Sequence, residues 1–286
     1  MTILEAILQG LIQGFTEFLP VSSSGHLSLF QHFFGLDGEG AMQMTLVLHL
    51  GTLVAVVAAF YKKFIALIKE ALLMVKDIFT GKFKWKEMNG DRRFIMMLIV
   101  SILPLFAFYI FNDFFEMLAS DDDIIVEGCA FLYTAAILFL SDRCVKGNKT
   151  EGEATVPNAL TIGIFQCIAL VPGISRSGST ISAGIFSGLR RESAVEYSFI
   201  LGSPIILAGA LLEMGDVGTA VDTIGLVPML VGFVTAAVAG IAAIKLIKWL
   251  VAKDRFKIFA YYTFALGIAV LAIGVCEYVY DWRLII

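Results

Sequence analysis

Gly163-Ile-Phe-Gln166-Cys-Ile-Ala-Leu-Val-Pro172-Gly173-Ile-Ser175-Arg176-Ser177-Gly178-Ser179-Thr180 begins as an apolar run and breaks at Pro172-Gly173. An arginine follows among hydroxyls and a glycine, and then the chain turns apolar again. The surroundings decide what this means. Of the 286 residues, 58% are hydrophobic and 16% charged, and the mean hydropathy is +0.86. Such a chain has too much apolar surface for one soluble core. Its long uncharged runs approach the roughly 20 residues that span a bilayer, so the class is a polytopic helical membrane protein. A β-barrel would alternate apolar and polar residues, and these runs do not. An arginine facing lipid at mid-membrane costs roughly 2.5–3.5 kcal/mol or more. The ligand that suits it is a phosphate, held by Arg176, neighbouring hydroxyls and the N–H groups of a broken backbone.

Upstream lies a second broken stretch. Residues 3–19 carry Glu5, Gln9, Gln13 and Glu17 at intervals of four, on one helical face. Phe18-Leu19-Pro20-Val21-Ser22-Ser23-Ser24-Gly25-His26 then stops the helix and reads as a tight polar loop. Irregular backbone at membrane depth is tolerated where it lines a cavity.

Charge places both stretches. Apolar spans are expected at about 42–61, 94–111, 124–141, 194–213, 224–246 and 258–279, with an amphipathic surface helix over 64–79. Segments 62–93, 142–158, 190–191 and 247–257 are basic, whereas 35–41, 112–123 and 214–223 lack Lys and Arg. The positive-inside rule sends the first set to the cytoplasm and the second outside, with both termini outside. Residues 1–35 then begin and end outside, and 156–191 begin and end inside. Both must dip in and return. The expected fold is all-α, a single integral membrane domain over 1–286, with six transmembrane helices and two oppositely oriented re-entrant helical hairpins.

An internal repeat agrees. Gly10-x-x-Gln13 matches Gly163-x-x-Gln166, and Ser22-x-Ser24-Gly25 matches Ser175-x-Ser177-Gly178, all at an offset of 153 residues. The repeat halves cover about 1–111 and 124–250, with a final span at 258–279. Inverted repeats place a site near the midplane at broken helix ends, which would bring 22–26 and 175–180 together.

The expected catalytic residues are Glu17, Ser23, His26 and Arg176. Gln13, Ser22, Ser24, Ser175, Ser177, Gly178 and Thr180 are expected to bind substrate. The guanidinium fork suits a phosphate bidentately, where Lys would not. Its structural alternative is a partner for Glu17 or for helix-end carbonyls. Some serines serve as helix caps. His26 follows Ser-Ser-Ser-Gly directly, a titratable base beside hydroxyls. His32 reads as interfacial, and His49 packs within a span or faces the cavity. The four cysteines are scattered and suggest neither a zinc site nor a disulfide framework. A transition-metal site has no ligand cluster. Mg²⁺ or Ca²⁺ bridging Glu17 to a phosphate suits hard-cation chemistry. The N-terminus lacks the basic region of a signal peptide, and no feature points to nucleic acid.

Two motifs resemble a known family, the undecaprenyl-diphosphate phosphatases of the bacitracin-resistance type. The first has an acid or amide, three residues, a glutamate and a serine-rich loop ending Gly-His, here Gln13-Gly-Phe-Thr-Glu17-Phe-Leu-Pro-Val-Ser22-Ser23-Ser24-Gly25-His26. The second is Pro172-Gly173-Ile174-Ser175-Arg176-Ser177-Gly178-Ser179-Thr180. The resemblance runs over essentially the whole chain, with Gln13 where some members carry Glu. It implies hydrolysis of a C55 polyprenyl diphosphate to the monophosphate and inorganic phosphate, recycling the lipid carrier of cell-wall synthesis. It also implies a bacterial inner-membrane location and an active site opening outward. The partners are then the lipid substrate and the bilayer, and a homodimer is compatible. The acid-phosphatase type of membrane phosphatase needs a histidine after its Ser-Arg. None follows His49 here, which excludes that mechanism. Either Ser23 attacks with His26 as base, or His26 attacks and Ser23 binds. The alternative function is a polyprenyl-phosphate flippase or secondary transporter, since broken helices and inverted repeats also serve transport.

Overall fold

The computed structural model describes residues 1–36, 39–108, 110, 124–212, 221, 223–280 and 283–285. The expected outer linker 112–123, most of 214–223 and residues 37–38 lie outside them. Among the described residues the chain forms eleven α-helices and no sheet: α1 (Ile3–Phe18), α2 (Ser23–Phe34), α3 (Glu39–Ala59), α4 (Tyr61–Phe79), α5 (Gly90–Phe108), α6 (Ile125–Arg143), α7 (Val156–Ile168), α8 (Arg176–Phe186), α9 (Arg191–Leu212), α10 (Leu226–Ala252) and α11 (Lys257–Tyr280). Five of them, α3, α6, α9, α10 and α11, are long and apolar enough to cross a membrane. The sixth expected span falls on α5. Its first turn carries Asp91, Arg92 and Arg93, and its expected end reaches residues 109 and 111, outside the described set.

Two boundaries differ from the sequence reading. Helix α10 runs to Ala252, so Lys248 of the expected basic linker is helical, with its Nζ 3.7 Å from the centroid of the Phe60 ring. The serines expected in a polar loop are helical too. The turn itself is 19–21, and Ser22 caps α2. Proline stops α1, but a serine before three small or short residues is a strong start signal. Helix α4 exposes Ile65, Ile68, Leu72 and Phe79 beside Lys69 and Lys76, the composition of a helix lying in a bilayer interface.

The α1–α2 and α7–α8 pairs are the same device built twice. Thr2 caps α1 in a box with Glu5, and Thr155 caps α7 in a box with Asn158. Ser22 caps α2 through Gly25 N–H, and Ser175 caps α8 through Gly178 N–H. Every one of these starts keeps the 153-residue offset. The helices hold 16, 12, 13 and 11 residues, hence about 24, 18, 20 and 16 Å at ~1.5 Å per residue. None reaches the ~30 Å of a hydrocarbon core.

Glycines let each first helix lie against a long one. A Cβ on Gly10 would sit 2.8 Å from Gly232 O of α10, and one on Gly163 would sit 2.4 Å from Ser101 O of α5. Small residues at such crossings bring backbones into contact without a hydrophobic drive, the usual solution in lipid. Ser101 Oγ then donates to Ala159 O (2.9 Å) and shares a hydrogen bond with the buried Tyr197 hydroxyl (2.8 Å), fixing α7 against α5 and α9.

Candidate active site

Two helix N-termini meet at one cavity. Its volume is about 240 Å³, and its wall includes Thr16 and Glu17 of α1, Ser23 and Ser24 of α2, and His49 of α3. Ser175, Arg176 and Ser177 at the start of α8 and Ile205 and Ile206 of α9 complete most of it. Ser23 and Ser24 are the first residues of α2, as Arg176 and Ser177 are of α8. Both positive helix ends therefore favour an anion at this point. The tips are tied directly: Gly173 N–H donates to Ser24 Oγ (3.4 Å) and Ser177 Oγ donates to Leu19 O (3.3 Å).

Glu17 organises the wall. It is buried at the end of α1, a position that requires partners for a carboxylate. Arg176 Nη2 donates to its Oε1. Ser23 Oγ donates to its Oε2 at 2.6 Å, and Gln13 Nε2 donates to the same oxygen at 3.0 Å. His49 Nε2 stands 3.8 Å away. His49 Nδ1 is 2.8 Å from Thr45 O, which turns Nε2 toward the cavity. Arg176 Nη1 donates to Gly202 O (3.2 Å), which leaves other guanidinium N–H groups for a ligand. The Glu17 partner considered for this arginine is thus real, the carbonyl it meets is mid-helix in α9 and not at a helix end, and neither contact uses up its donors. What the arrangement offers is a hydroxyl already giving its hydrogen bond to a buried carboxylate, with a guanidinium and two helix ends around the same space. That is the equipment for moving a phosphoryl group onto an alcohol.

The model of one family, described as "Bacitracin resistance protein BacA", matches residues 6–269. The chain belongs to that family. Among its relatives, the "Undecaprenyl-diphosphatase" of Rubrobacter xylanophilus is 38% identical, over 96% of this chain and 98% of that protein. The protein of the same name from Desulforapulum autotrophicum is 35% identical, over 96% and 99%. The one from Methanosphaera stadtmanae is 37% identical, over 96% and 99%. Family membership therefore covers both hairpins and every helix between them.

The sequence-derived residues fall into two groups. Glu17, Ser23, Ser24, Ser175, Arg176 and Ser177 line the cavity. Gln13 sits one turn behind, on Glu17. Ser22 and Gly178 belong to the caps: Ser22 Oγ accepts from Gly25 N–H (3.1 Å), and Gly178 N–H donates to Ser175 Oγ (3.0 Å). Thr180 is buried; its hydroxyl donates to Arg176 O (2.9 Å) and shares a hydrogen bond with Ser198 (2.6 Å). His26 lies off the cavity, between Phe131 of α6 and Tyr262 of α11.

His32 is buried within the protein, its Nε2 3.0 Å from Glu277 near the end of α11, because a polar ring facing a membrane helix needs a partner there. The sequence reading overlooked Thr134, whose Oγ accepts from Ser175 N–H (3.2 Å). It also overlooked Glu127, whose Oε1 accepts from Ser28 Oγ (2.7 Å). An ionisable residue inside an apolar span is itself the available signal, and Glu127 carries it as His49 does.

Proposed function

We propose that this protein hydrolyses undecaprenyl diphosphate to undecaprenyl phosphate and inorganic phosphate. The observation that carries the reading is Ser23 Oγ donating at 2.6 Å to buried Glu17, with Arg176 on the other carboxylate oxygen and both on the cavity wall. The names of the relatives support the substrate.

The diphosphate enters between the hairpin tips with its prenyl tail in the bilayer. Arg176, Ser175, Ser177 and the first turns of α2 and α8 hold the terminal phosphoryl and stabilise the charge that builds on it. Ser23 Oγ attacks the terminal phosphorus and passes its proton to Glu17. The bond from that phosphorus to the bridging oxygen breaks, and the polyprenyl monophosphate leaves. Water then attacks the phosphoserine, releasing inorganic phosphate and restoring Ser23. Gln13 holds Glu17 in place throughout. His49 presents Nε2 to the same space and is suited to handle a proton in the second step. A hard divalent cation between Glu17 and the diphosphate would add charge neutralisation. Among the described residues no cluster of three His, Cys, Asp or Glu side chains stands ready to hold a metal without substrate.

The proposed setting is the cytoplasmic membrane of a bacterium, with six spans, α5 being the sixth. The α1–α2 and α7–α8 pairs are re-entrant from opposite faces, and both termini and the cavity mouth face outward. Helices too short to span and the basic residues of α4 and of 142–158 support this.

The decisive test uses purified protein in detergent, which removes any vectorial step. Phosphate release from polyprenyl diphosphate is expected, with an acid-stable phosphoserine trapped at Ser23. An acid-labile adduct would move the nucleophile to a histidine. No phosphate release would favour the flippase.

A further inference from the structure

The first hairpin carries a second polar line, and it runs away from the cavity. Ser22 stands immediately before α2 with φ 74° and ψ 102°. Among the described residues Asp254 is the other non-glycine with positive φ. L residues are disfavoured in that region, so the surroundings must hold the conformation. The clamp is visible. The Ser22 carbonyl lies 2.6 Å from His26 Nδ1. His26 Nε2 lies 2.7 Å from the Tyr262 hydroxyl. The imidazole and phenol rings stack at 10° with centroids 5.7 Å apart, and Phe131 closes the imidazole edge-on at 5.3 Å. A carbonyl only accepts, so Nδ1 carries a proton. In the neutral ring Nε2 accepts, and Tyr262 donates.

We propose that Tyr262 is a positioning residue for the reaction. Through His26 it holds the Ser22 carbonyl, and so it sets the direction in which the next residue, Ser23, delivers its Oγ to Glu17. The inference rests on the reading of Ser23 as nucleophile. On this account His26 acts on backbone and not on substrate, which explains why a histidine one turn from the cavity faces a tyrosine 236 residues further along the chain. The corresponding cap in the second hairpin, Ser175, has φ −69° and needs no such clamp. The residue at the His26 position there is Ser179.

The test compares full-length variants in detergent by steady-state kinetics. Tyr262→Phe keeps the ring and loses the hydroxyl; kcat is expected to fall about tenfold, the scale of one lost hydrogen bond, with KM unchanged and the thermal midpoint lowered by no more than a few degrees. His26→Asn places an amide N–H where Nδ1 stands and keeps the Ser22 bond, whereas His26→Gln reaches toward Tyr262 and loses it. His26→Asn should therefore retain more kcat than His26→Gln, and adding Tyr262→Phe to His26→Asn should cost nothing further. An unchanged kcat in Tyr262→Phe, or the reverse order of the histidine variants, overturns the proposal. Phosphoserine trapping in the same wild-type preparation separates the two ideas. A missing phosphoserine sinks Ser23 as nucleophile, while an unchanged Tyr262→Phe with phosphoserine present sinks only the positioning role.

Discussion

The α1–α2 hairpin and the α7–α8 hairpin start their helices at matching positions, cap them with matching residues and seat them on a long helix through matching glycines. They differ where the cavity is. At the Glu17 position the second hairpin has Leu170, and at the Ser23 position it has Arg176. One hairpin brings a carboxylate and a hydroxyl in hydrogen-bonding contact; the other brings a fixed cation. The anchoring differs too. The first is tied at its far end by His32–Glu277, and Arg283 donates to His32 O (3.0 Å). The second is tied just before its start, where Glu151 meets Lys63 at 3.0 Å. A duplicated scaffold thus supplies two helix N-termini for an anion, and on the proposed mechanism a few substitutions divide the work between bond breaking and holding charge.

That division makes the largest prediction. Arg176→Lys keeps a cation beside Glu17 but replaces a planar fork by a point charge. Its kcat should fall by about 10²–10³-fold, the usual cost of removing one fixed donor at a developing charge. KM should rise as well, because the same group holds the ground-state diphosphate. Near-normal kinetics for this variant in a phosphate-release assay would break the comparison, since the guanidinium fork that distinguishes the second hairpin would then hold no phosphate.

The cationic half was the easier to read from sequence. Arg176 stands in an apolar chain where its cost alone announces a role, and Glu17 carries the same mark. The repeat and the charge pattern were enough to bring the two tips together. The orientation of His26 was not legible. It follows Ser23 by three residues, which suggests a shared purpose, but its ring meets the Ser22 carbonyl and the Tyr262 hydroxyl and is not on the cavity wall. Tyr262 and His49 lie on helices apolar on nearly every side. Periodicity cannot say which face of such a helix meets a cavity, a neighbour or lipid. Residues 112–123, on which part of the charge argument rests, fall outside the described residues.

The shared scaffold gives a prediction of intermediate size. Gly10→Ala and Gly163→Ala would put a Cβ within 2.8 and 2.4 Å of a facing carbonyl oxygen. Each should lower stability by about 1–3 kcal/mol, the cost of overpacking a close contact, seen as a lower melting midpoint in detergent. If the hairpins are equivalent as structure, the two variants should lose comparable amounts, and the folded fraction of each should keep its kcat. A large kcat defect in one alone would show that its glycine serves chemistry.

The smallest expected effect tests the anchors. Burial would raise the carboxyl pKa of Glu151, but its backbone hydrogen bond and the Lys63 ammonium outweigh that and hold it below the ordinary glutamate value. The same contacts, with Asp91, raise Lys63 against the lowering effect of burial. A depressed carboxylate stabilises the fold above its unfolded pKa. The contribution disappears as pH falls through the folded value, because protonation cancels the attraction to Lys63. Glu151→Gln should therefore lower the melting midpoint at neutral pH by roughly 2–4 °C, the shift that ~1 kcal/mol gives in a chain of this size. It should also remove part of the decline expected for the wild type on acidification below about pH 5. The kcat of phosphate release should stay within about twofold, since a part-buried ion pair of this kind is worth on the order of 1 kcal/mol and touches no group on the cavity wall. Equal acid sensitivity in the two proteins would mean that Glu151 is not what anchors the second hairpin. The weight would then fall on the Ser101 bridge to α7, and Ser101→Ala would be the variant that melts early.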